Sequence, residues 1–538
     1  KTSVTGSKDN NLAGDLYTTN GESLDWNSNA FLYYTRSFNK QHNLNVSAGW
    51  EAASGTTEST NAHYRGFPSG EFHSLNYAAE VYKKPTRTEN TTRRVSVLAS
   101  ANYTWNDIYL VDASVRFDGS SEFGANQKWA PFFSGGVGVN IHNYDFFKSN
   151  SYINKLKLRA SYGRTGKVNF PAYAATTMYE TLFDEWYITG YGAVLKALGN
   201  KDLTWEKTDK LSFGLETKTL HDRLTIDFEY YYNKTIDLVN DVTLSQTSGF
   251  STYKDNMGQV ANKGVELKLR ADIYRDRNWN VALWGNMAHN KNEILKISDS
   301  QKAYNERVTA YYKNEALYQE TLGLSHGAEY SVPLPQYEEG ASLTSIWAVR
   351  SLGIDPTTGK EIFLNRDGSI ADKWNAAQEV VVGNTEPKCS GAFGLNLSYK
   401  NWTLFASFLY EWGGQEYNQT LVNNVENADL VNKNVDLRVL TDRWKKPGDI
   451  AQFKDIKDRG MTTLPTSRFV QDKALVRLNS LNVSYDFNRD WIKKHLRMNL
   501  LRLEASTSDL INWSSIKQER GLSYPRSWKV EFSLKAQF

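Results

Sequence analysis

Few residues of this chain have the types and spacing that catalysis needs. Eight histidines are scattered along the 538 residues, and there is a single cysteine, Cys389. One cysteine forms neither an internal disulfide nor a CxxC metal pair, and no HExxH spacing occurs. The glycine run 135–138 precedes a predicted strand, not a helix, so it cannot cradle a phosphate. The sequence therefore predicts no enzyme activity, no catalytic residue, no cofactor and no metal site.

Aromatic side chains are the better candidates for chemistry, because they make up 13% of the chain, with 16 Trp and 31 Tyr. Flat aromatic faces stack on sugar rings and also accept peptide side chains. Several lie in a polar stretch, 163–203, and one lies at the end of a predicted strand. The alternative for each is packing of loop against loop. The predicted ligand contacts are Tyr179, Trp186, Tyr187, Tyr191 and Trp412.

Composition limits the class of protein. The net charge is only +3, so no electrostatic argument favours a nucleic acid or an acidic partner. No run of about 18 apolar residues exists, so no helix is predicted to span a membrane. The mean hydropathy of −0.57 still fits a membrane β-barrel, whose apolar residues occupy only every second position over segments of roughly ten.

The last stretch, residues 527–538, shows that alternation most clearly. Its apolar residues recur with a period of two, which puts them on one face of a strand and scatters them around a helix. A half-buried strand of a soluble β-sandwich would show the same pattern. The alternating apolar residues are Trp528, Val530, Phe532, Leu534, Ala536 and Phe538.

The pattern returns along the whole chain and predicts about 17 strands. Their connections alternate between short turns, such as Asn106-Asp107, His221-Asp222 and Lys400-Asn401, and long loops. Outer-membrane barrels have short periplasmic turns and long extracellular loops, so their connections alternate in length along the chain. Nothing in the architecture of a β-sandwich requires this alternation of loop length. The long loops are predicted near 52–92, 163–203, 290–343 and 413–472.

The other face of these strands carries Lys, Glu, Asp and Arg. Such charges are unstable in a soluble core but are accepted by a wide, water-filled or plugged lumen. We therefore predict an all-β, transmembrane antiparallel β-barrel, a single domain over 1–538. Plugged outer-membrane transporters have about 22 strands, so we expect the plug and first strands to belong to a preceding part of a longer chain.

Several segments resemble the C-terminal barrel portion of SusC/RagA-family TonB-dependent transporters of the Bacteroidetes outer membrane. The residues after the penultimate strand, SDLINW at 508–513, depart from the family pattern and put the last extracellular loop in doubt. The segments that carry the resemblance include VDASVRFDGSSEFG (111–124), LKLRASYGRTG (156–166), NKDLTWEKTDKLSFGLE (200–216), NMGQVANKGVELKL (256–269), GIDPTTGKEIF (353–363), DRWKKPGD (442–449) and SRFVQDKALVRLNSLNVSYDF (467–487).

The resemblance implies active import of a large nutrient, an oligosaccharide first and an oligopeptide second. It implies a SusD-like surface lipoprotein as a lid, energy from the TonB-ExbB-ExbD complex, and contact with membrane lipid and lipopolysaccharide. A passive porin or a surface adhesive β-barrel without energy coupling is the alternative. A soluble secreted binding module is a third possibility, which the loop parity disfavours.

Overall fold

A computed structural model of the chain provides the structure. It describes residues 2–3, 14–68, 70–71, 74–148, 152–168, 170, 172–188, 190–243, 252–256, 258–299, 301–303, 305–306, 336–432, 435–460, 463–516 and 529–538.

One antiparallel sheet dominates the fold and contains 17 strands within the described residues. Each long strand pairs with the next long strand along the chain. Its strands are β1 (Thr2–Ser3), β2 (Asp15–Phe38), β3 (His42–Arg65), β4 (Glu80–Trp105), β5 (Tyr109–Ser120), β6 (Trp129–Asn140), β7 (Ile153–Lys167), β10 (Glu206–Thr219), β11 (Leu224–Ile236), β14 (Gln259–Arg275), β15 (Trp279–Lys296), β21 (Cys389–Tyr399), β22 (Trp402–Tyr417), β23 (Val470–Asp486), β24 (Leu500–Ser508), β25 (Asn512–Ser514) and β26 (Lys529–Gln537).

Smaller sheets and short helices lie in the connections. The small sheets pair β8 (Met178–Tyr187) with β9 (Gly190–Ala197), β12 (Val239–Thr243) with β13 (Thr252–Asn256), β16 (Ser345–Ala348) with β20 (Val380–Asn384), and β17 (Arg350–Ile354) with β18 (Glu361–Leu364) and β19 (Ile370–Ala371). The helical segments are Leu75–Tyr77, Ile141–Asn143, Asp145–Lys148, Ala376–Gln378, Gln419–Leu421, Val422–Glu426, Arg438–Thr441, Ile456–Gly460, Ser467–Phe469 and Arg489–Leu496. None of the helices in the described ranges is long and apolar enough to cross a membrane.

The sheet has one apolar and one polar face, as the alternation predicts. Across β4 and β5 the register pairs Val97 with Phe117 and Tyr103 with Val111, and all four side chains are exposed. An apolar face with no protein layer on it needs a lipid environment. We call this face outward and the opposite, polar face inward.

The predicted tight turns are confirmed. Asn106 and Asp107 have φ of 54° and 56°, and the N–H of Ile108 donates to the carbonyl of Trp105 at 2.9 Å. Asn and Asp tolerate this left-handed backbone, so the two-residue turn matches the twist of its strands. Tight turns such as this one lie at one end of the sheet, which we call the turn rim, although the connections from β6 to β7 and from β23 to β24 at this end are longer and contain short helices. The longest connections lie at the other end, which we call the loop rim.

The predicted long loop over 52–92 is wrong in extent. β3 continues to Arg65 and β4 begins at Glu80, so the connection is 66–79. The added strand residues are polar and rich in Thr, which favours strands, and Thr56 and Thr91 hydrogen-bond across the pair at 3.1 Å. Beyond the membrane a strand needs no apolar row, so periodicity did not reveal it.

The other predicted loops are also shorter or more ordered than expected. β7 extends to Lys167, and the predicted loop 163–203 holds the β8–β9 hairpin. β15 extends to Lys296, into the predicted loop 290–343, most of which lies outside the described residues. The predicted loop 413–472 loses residues to β22 and β23 and contains helical segments.

Candidate ligand-binding site at the loop rim

The inward face carries charged side chains, and many of them form ion pairs with one another. Arg116 on β5 contacts Glu51 on β3 at 2.9 Å, and Arg159 on β7 contacts Glu229 on β11 at 2.6 Å. Pairing compensates for part of the cost of removing charges from bulk water. The inward face can thus line a wet passage.

A cavity of about 490 Å³ lies at the loop-rim end of this inward face. Its polar wall includes Arg94, Arg116, Asp118 and Lys167. Arg116 is fixed by Asp118 at 2.6 Å and by the hydroxyl of Ser96 at 2.8 Å. Arg94 has a weaker contact, 3.5 Å to Glu122. Nitrogen donors therefore outnumber carboxylates on the polar wall.

The other wall of the cavity is aromatic and rigid. Phe132 and Trp205 line it, and both are buried. Trp205 stacks on Phe123 with ring centroids 4.2 Å apart. The Trp205 indole nitrogen has no hydrogen-bond partner among the described residues, which is unusual for a buried donor. Behind this wall is an apolar cluster of Phe123, Ala130, Phe132, Phe170, Ala175, Leu203, Trp205 and Val239. The cavity can hold a polar ligand against a flat apolar surface.

Two long connections pack together at the loop rim. We call the described residues within 345–384 and 418–469 together the loop dome. Its halves are joined by hydrogen bonds from the Trp374 indole to the carbonyl of Pro465 at 2.9 Å and from the Trp444 indole to the carbonyl of Pro356 at 2.8 Å. The second half has its own core of Leu421, Val422, Val425, Ala428, Val439, Phe453 and Phe469.

A buried group of charges crosses the dome. Arg468 contacts Glu361 at 2.9 Å and Glu426 at 2.8 Å, and the Glu426 side chain is fully buried. Burial opposes the charge of Arg468, but the two carboxylates outweigh it and raise the pKa above its usual range. The nearby Lys454 has its pKa lowered, chiefly by burial. This arrangement ties the two halves of the dome to one another.

The structure brings three of the five predicted ligand contacts together. Trp186 pairs with Tyr191 across the β8–β9 hairpin, and Tyr187 pairs with Gly190. Tyr179 lies further along the same hairpin, opposite Leu195. The Tyr179 and Tyr191 side chains are 69% and 52% exposed, so their rings are accessible.

Trp412 lies apart from these residues. It follows Phe408 and Tyr410 in the outward row of β22, and its side chain is 71% exposed. It lines a second cavity, of about 540 Å³, between the loop-rim ends of β15 and β22. No observation tests any of the five as a ligand contact, and they stay predictions.

Sequence reasoning missed the residues around the first cavity. Arg94 and Arg116 belong to the inward polar rows, so their alternation was a usable signal. Trp205 gave no such signal, because its burial depends on loops that are distant in sequence. Within the described ranges, no group of three or more His, Cys, Asp or Glu is placed to hold a metal ion.

A large antiparallel sheet with a lipid-facing exterior, a charged interior and folded loops on one rim defines an outer-membrane β-barrel. Comparison with known proteins gives the family. Residues 2–500 match the family described as TonB dependent receptor-like, beta-barrel. The chain belongs to this family and is an outer-membrane protein.

Named relatives agree with this assignment. TonB-dependent receptor P3 of Formosa agariphila is 28% identical over 499 residues, which are 90% of this chain and 48% of the relative. TonB-dependent receptor SusC of Bacteroides thetaiotaomicron is 30% identical over 255 residues, 45% of this chain and 25% of the relative. The chain thus spans about half the length of the first relative. These relatives are receptors, which confirms the prediction that the chain is not an enzyme.

Solved structures show the same fold. A chain of the RagAB peptide transporter superposes with a TM-score of 0.79 at 23% identity, covering 94% of this chain and 53% of that one. The RagAB peptide importer in the 'open-open' state gives 0.81 at 23% identity, covering 98% and 56%. These structures confirm the all-β barrel fold. Together with the family match and the SusC relative, they confirm the resemblance to the SusC/RagA type.

Proposed function

We propose that the whole protein of which this chain forms the barrel portion imports a large nutrient across the outer membrane with energy supplied through TonB. The observation that carries the proposal is the loop rim. Folded loops there border a cavity with one charged and one aromatic wall, at the loop-rim end of the charged inward face. A channel for small solutes needs no such binding surface.

The proposed ligand is an oligosaccharide first and an oligopeptide second. Exposed rings on the β8–β9 hairpin suit either, because sugars and apolar side chains both stack on aromatic faces. The oligopeptide gains support from the name of the RagAB peptide transporter, whose fold this chain shares. We retain Tyr179, Trp186, Tyr187, Tyr191 and Trp412 as proposed contacts.

The proposed partners are a SusD-like surface lipoprotein, which would cover the loop rim, and the TonB-ExbB-ExbD complex. The loop dome is an argument for a lipoprotein partner, because a large folded surface with a buried core can form a stable binding surface for another protein. A passive porin or surface adhesive remains the second candidate, and it requires neither partner.

The proposal is tested on the intact protein, extracted in mild detergent from its native membrane. Mass spectrometry should find a stoichiometric lipoprotein and a bound mixture of oligosaccharides or peptides. A lone barrel with no lipoprotein and no ligand would contradict the import proposal.

Uptake separates import from passive flow. The nutrient recovered from the complex is labelled and given to cells with and without TonB. Import requires that loss of TonB abolish uptake, whereas a porin would continue to admit the label.

A further inference from the structure

The first cavity lies where two neighbouring strands of the sheet separate. The β6–β7 ladder ends toward the loop rim at the pair of Phe133 and Arg164. Toward the same rim, β6 continues against β5 as far as Trp129, and β7 continues against β10 as far as Lys167. The residues that line the cavity come from both of these diverging ends. The register therefore builds a gap into the inner wall at the loop rim.

An aromatic ring closes one side of the gap. The Phe132 ring lies directly across Gly166, where an added Cβ atom would be 2.1 Å from the Phe132 Cζ atom. Trp205 makes an edge-to-face contact with Phe132, with ring centroids 5.4 Å apart. Because both rings are buried and packed against one another, the wall is a fixed apolar surface on which a ring-shaped ligand unit can stack.

The polar side of the cavity has hydrogen-bonding capacity that the protein itself does not use. Lys167 is exposed, and its ammonium group contacts no carboxylate within the described ranges. Arg94 is 59% exposed and has one long contact, 3.5 Å to Glu122. The indole N–H of Trp205 has no partner among the described residues. All three groups donate hydrogen bonds and accept none, so the chemistry that complements the cavity is an acceptor.

Arg116 differs from these two cations because its charge is already balanced. It donates to Asp118 at 2.6 Å and to Glu51 at 2.9 Å. Asp118 lines the cavity, whereas Glu51 does not. Within the cavity wall, the charges of Arg116 and Asp118 therefore cancel.

Two further carboxylates lie near the exposed cations, and both accept hydrogen bonds from other groups of the protein. Glu122 accepts from the hydroxyl of Ser120 at 3.1 Å. Glu206 lies opposite Lys167 in the register, but its side chain is buried and accepts from the N–H of Val239 at 3.0 Å. Neither carboxylate lines the cavity. The exposed cations are therefore the charges that a ligand in the cavity meets first.

We propose, on the basis of the import function above, that the first cavity binds the carboxylate of a uronate unit in an acidic oligosaccharide. An ionised carboxylate only accepts hydrogen bonds, and its bonds to Lys and Arg are roughly twice as strong as neutral ones. A uronate carries its carboxylate on the sugar ring itself. One unit can thus reach Lys167 and Arg94 while the face of its ring meets the aromatic wall. A peptide carries its carboxylates on flexible side chains or at its end, so it fits this fixed arrangement less well.

A third cavity, of about 320 Å³, adjoins the first and accommodates the next unit of the chain. Arg94 lines both cavities, and the smaller one is also lined by Asp25, Asn27 and Thr92. Asp25 repels a second carboxylate but accepts a hydrogen bond from a sugar hydroxyl. The charges therefore orient the oligosaccharide, with its acidic unit in the first cavity and a neutral unit in the smaller one.

The test uses the intact protein in detergent and two probes, a trisaccharide with one uronate unit and the same trisaccharide with that carboxylate reduced to an alcohol. Titration calorimetry should show that the acidic probe binds about tenfold more tightly. K167Q and R94Q should each weaken binding of the acidic probe about 3- to 10-fold, as expected for the loss of one charge-assisted hydrogen bond. Binding of the reduced probe should not change. The control K210Q removes an exposed inward lysine of β10 that does not line the cavity, and it should affect neither probe.

Three results would overturn the proposal. The first is equal affinity for the two trisaccharides, and the second is a loss in K167Q and R94Q that is as large for the reduced probe. The third is a preference for a tripeptide over its C-terminal amide without any preference between the trisaccharides, because the carboxylate would then come from a peptide.

The outcome is separable from that of the import test. TonB-dependent uptake together with equal binding of the two trisaccharides would leave import standing and remove the uronate site. Acid-selective binding that is lost in K167Q, together with uptake that does not need TonB, would support the site and contradict active import.

Discussion

The loop rim contains two regions of opposite character, the loop dome and the β8–β9 hairpin. The dome buries Phe453 and Phe469 almost completely and holds Arg468 between two carboxylates. On the hairpin, Tyr179 and Tyr191 stand largely in solvent. The difference shows that the buried, ion-paired core and the exposed aromatic rings belong to separate loops.

The largest expected effect is in the dome. Arg468→Met should lower the local unfolding free energy by about 3–5 kcal/mol, because Glu361 and Glu426 would stay buried without their partner. Hydrogen exchange across residues 418–460 should accelerate, while exchange in the hairpin should not change. Unchanged protection of the dome would show that the buried charges do not hold it together.

The next effect depends on pH. Burial raises the pKa of Glu379 to about 7 from a model-peptide value of 4.5. The folded dome therefore favours the protonated acid, and this stabilisation is complete below pH 4.5 and is lost as the pH rises through 7. Glu379→Gln should make dome protection nearly independent of pH between 5 and 8, with a gain of up to roughly 3 kcal/mol at pH 8. Protection that rises with pH in the native protein would contradict this reasoning.

A smaller effect is expected on the hairpin. Tyr179→Ala and Tyr191→Ala should each weaken binding of the co-purified nutrient about 2- to 10-fold, the range expected when one aromatic contact is lost. Neither should change hydrogen exchange in the dome, since both rings are exposed. Trp26→Ala, an exposed aromatic of β2, is the matched control. Equal affinities in all three variants would remove the hairpin from the proposed site.

The smallest effect is expected where an ion pair is in solvent. Arg87 contacts Glu58 at 2.6 Å on the polar ends of β3 and β4, with its side chain 59% exposed. Arg87→Met should change stability by no more than about 1 kcal/mol, because solvent and salt screen such a pair. A thermal shift as large as that of Arg468→Met would mean that burial does not explain the contrast between the two arginines.

Much of the sheet could be predicted from the sequence. The apolar rows of β4, β5, β11 and β14, and the turn at Asn106-Asp107, follow from periodicity and backbone preference alone. Apolar rows do not predict the parts of strands that extend beyond the membrane, such as residues 52–65, because those parts need no apolar face. The predicted loop boundaries were wrong for this reason.

The sequence supplied candidate contacts, but it did not reveal the cavity. Aromatics such as Tyr179, which is 69% exposed, could be chosen by residue type alone, and their role as ligand contacts stays a prediction. The cavity beside Arg116 and Trp205 could not, because its walls come from loops that are distant in sequence.

The sequence by itself determined which face of the membrane-spanning strands meets lipid and which meets water, because successive side chains of a strand point to opposite faces. Only the tertiary structure decided which charges meet. Glu361, Glu426 and Arg468 lie far apart in the chain and become partners once the two halves of the dome pack together. Lys263 and Lys291 come to face one another only through the register of β14 and β15. Pairing between distant segments depends on packing and register, which a local pattern does not encode.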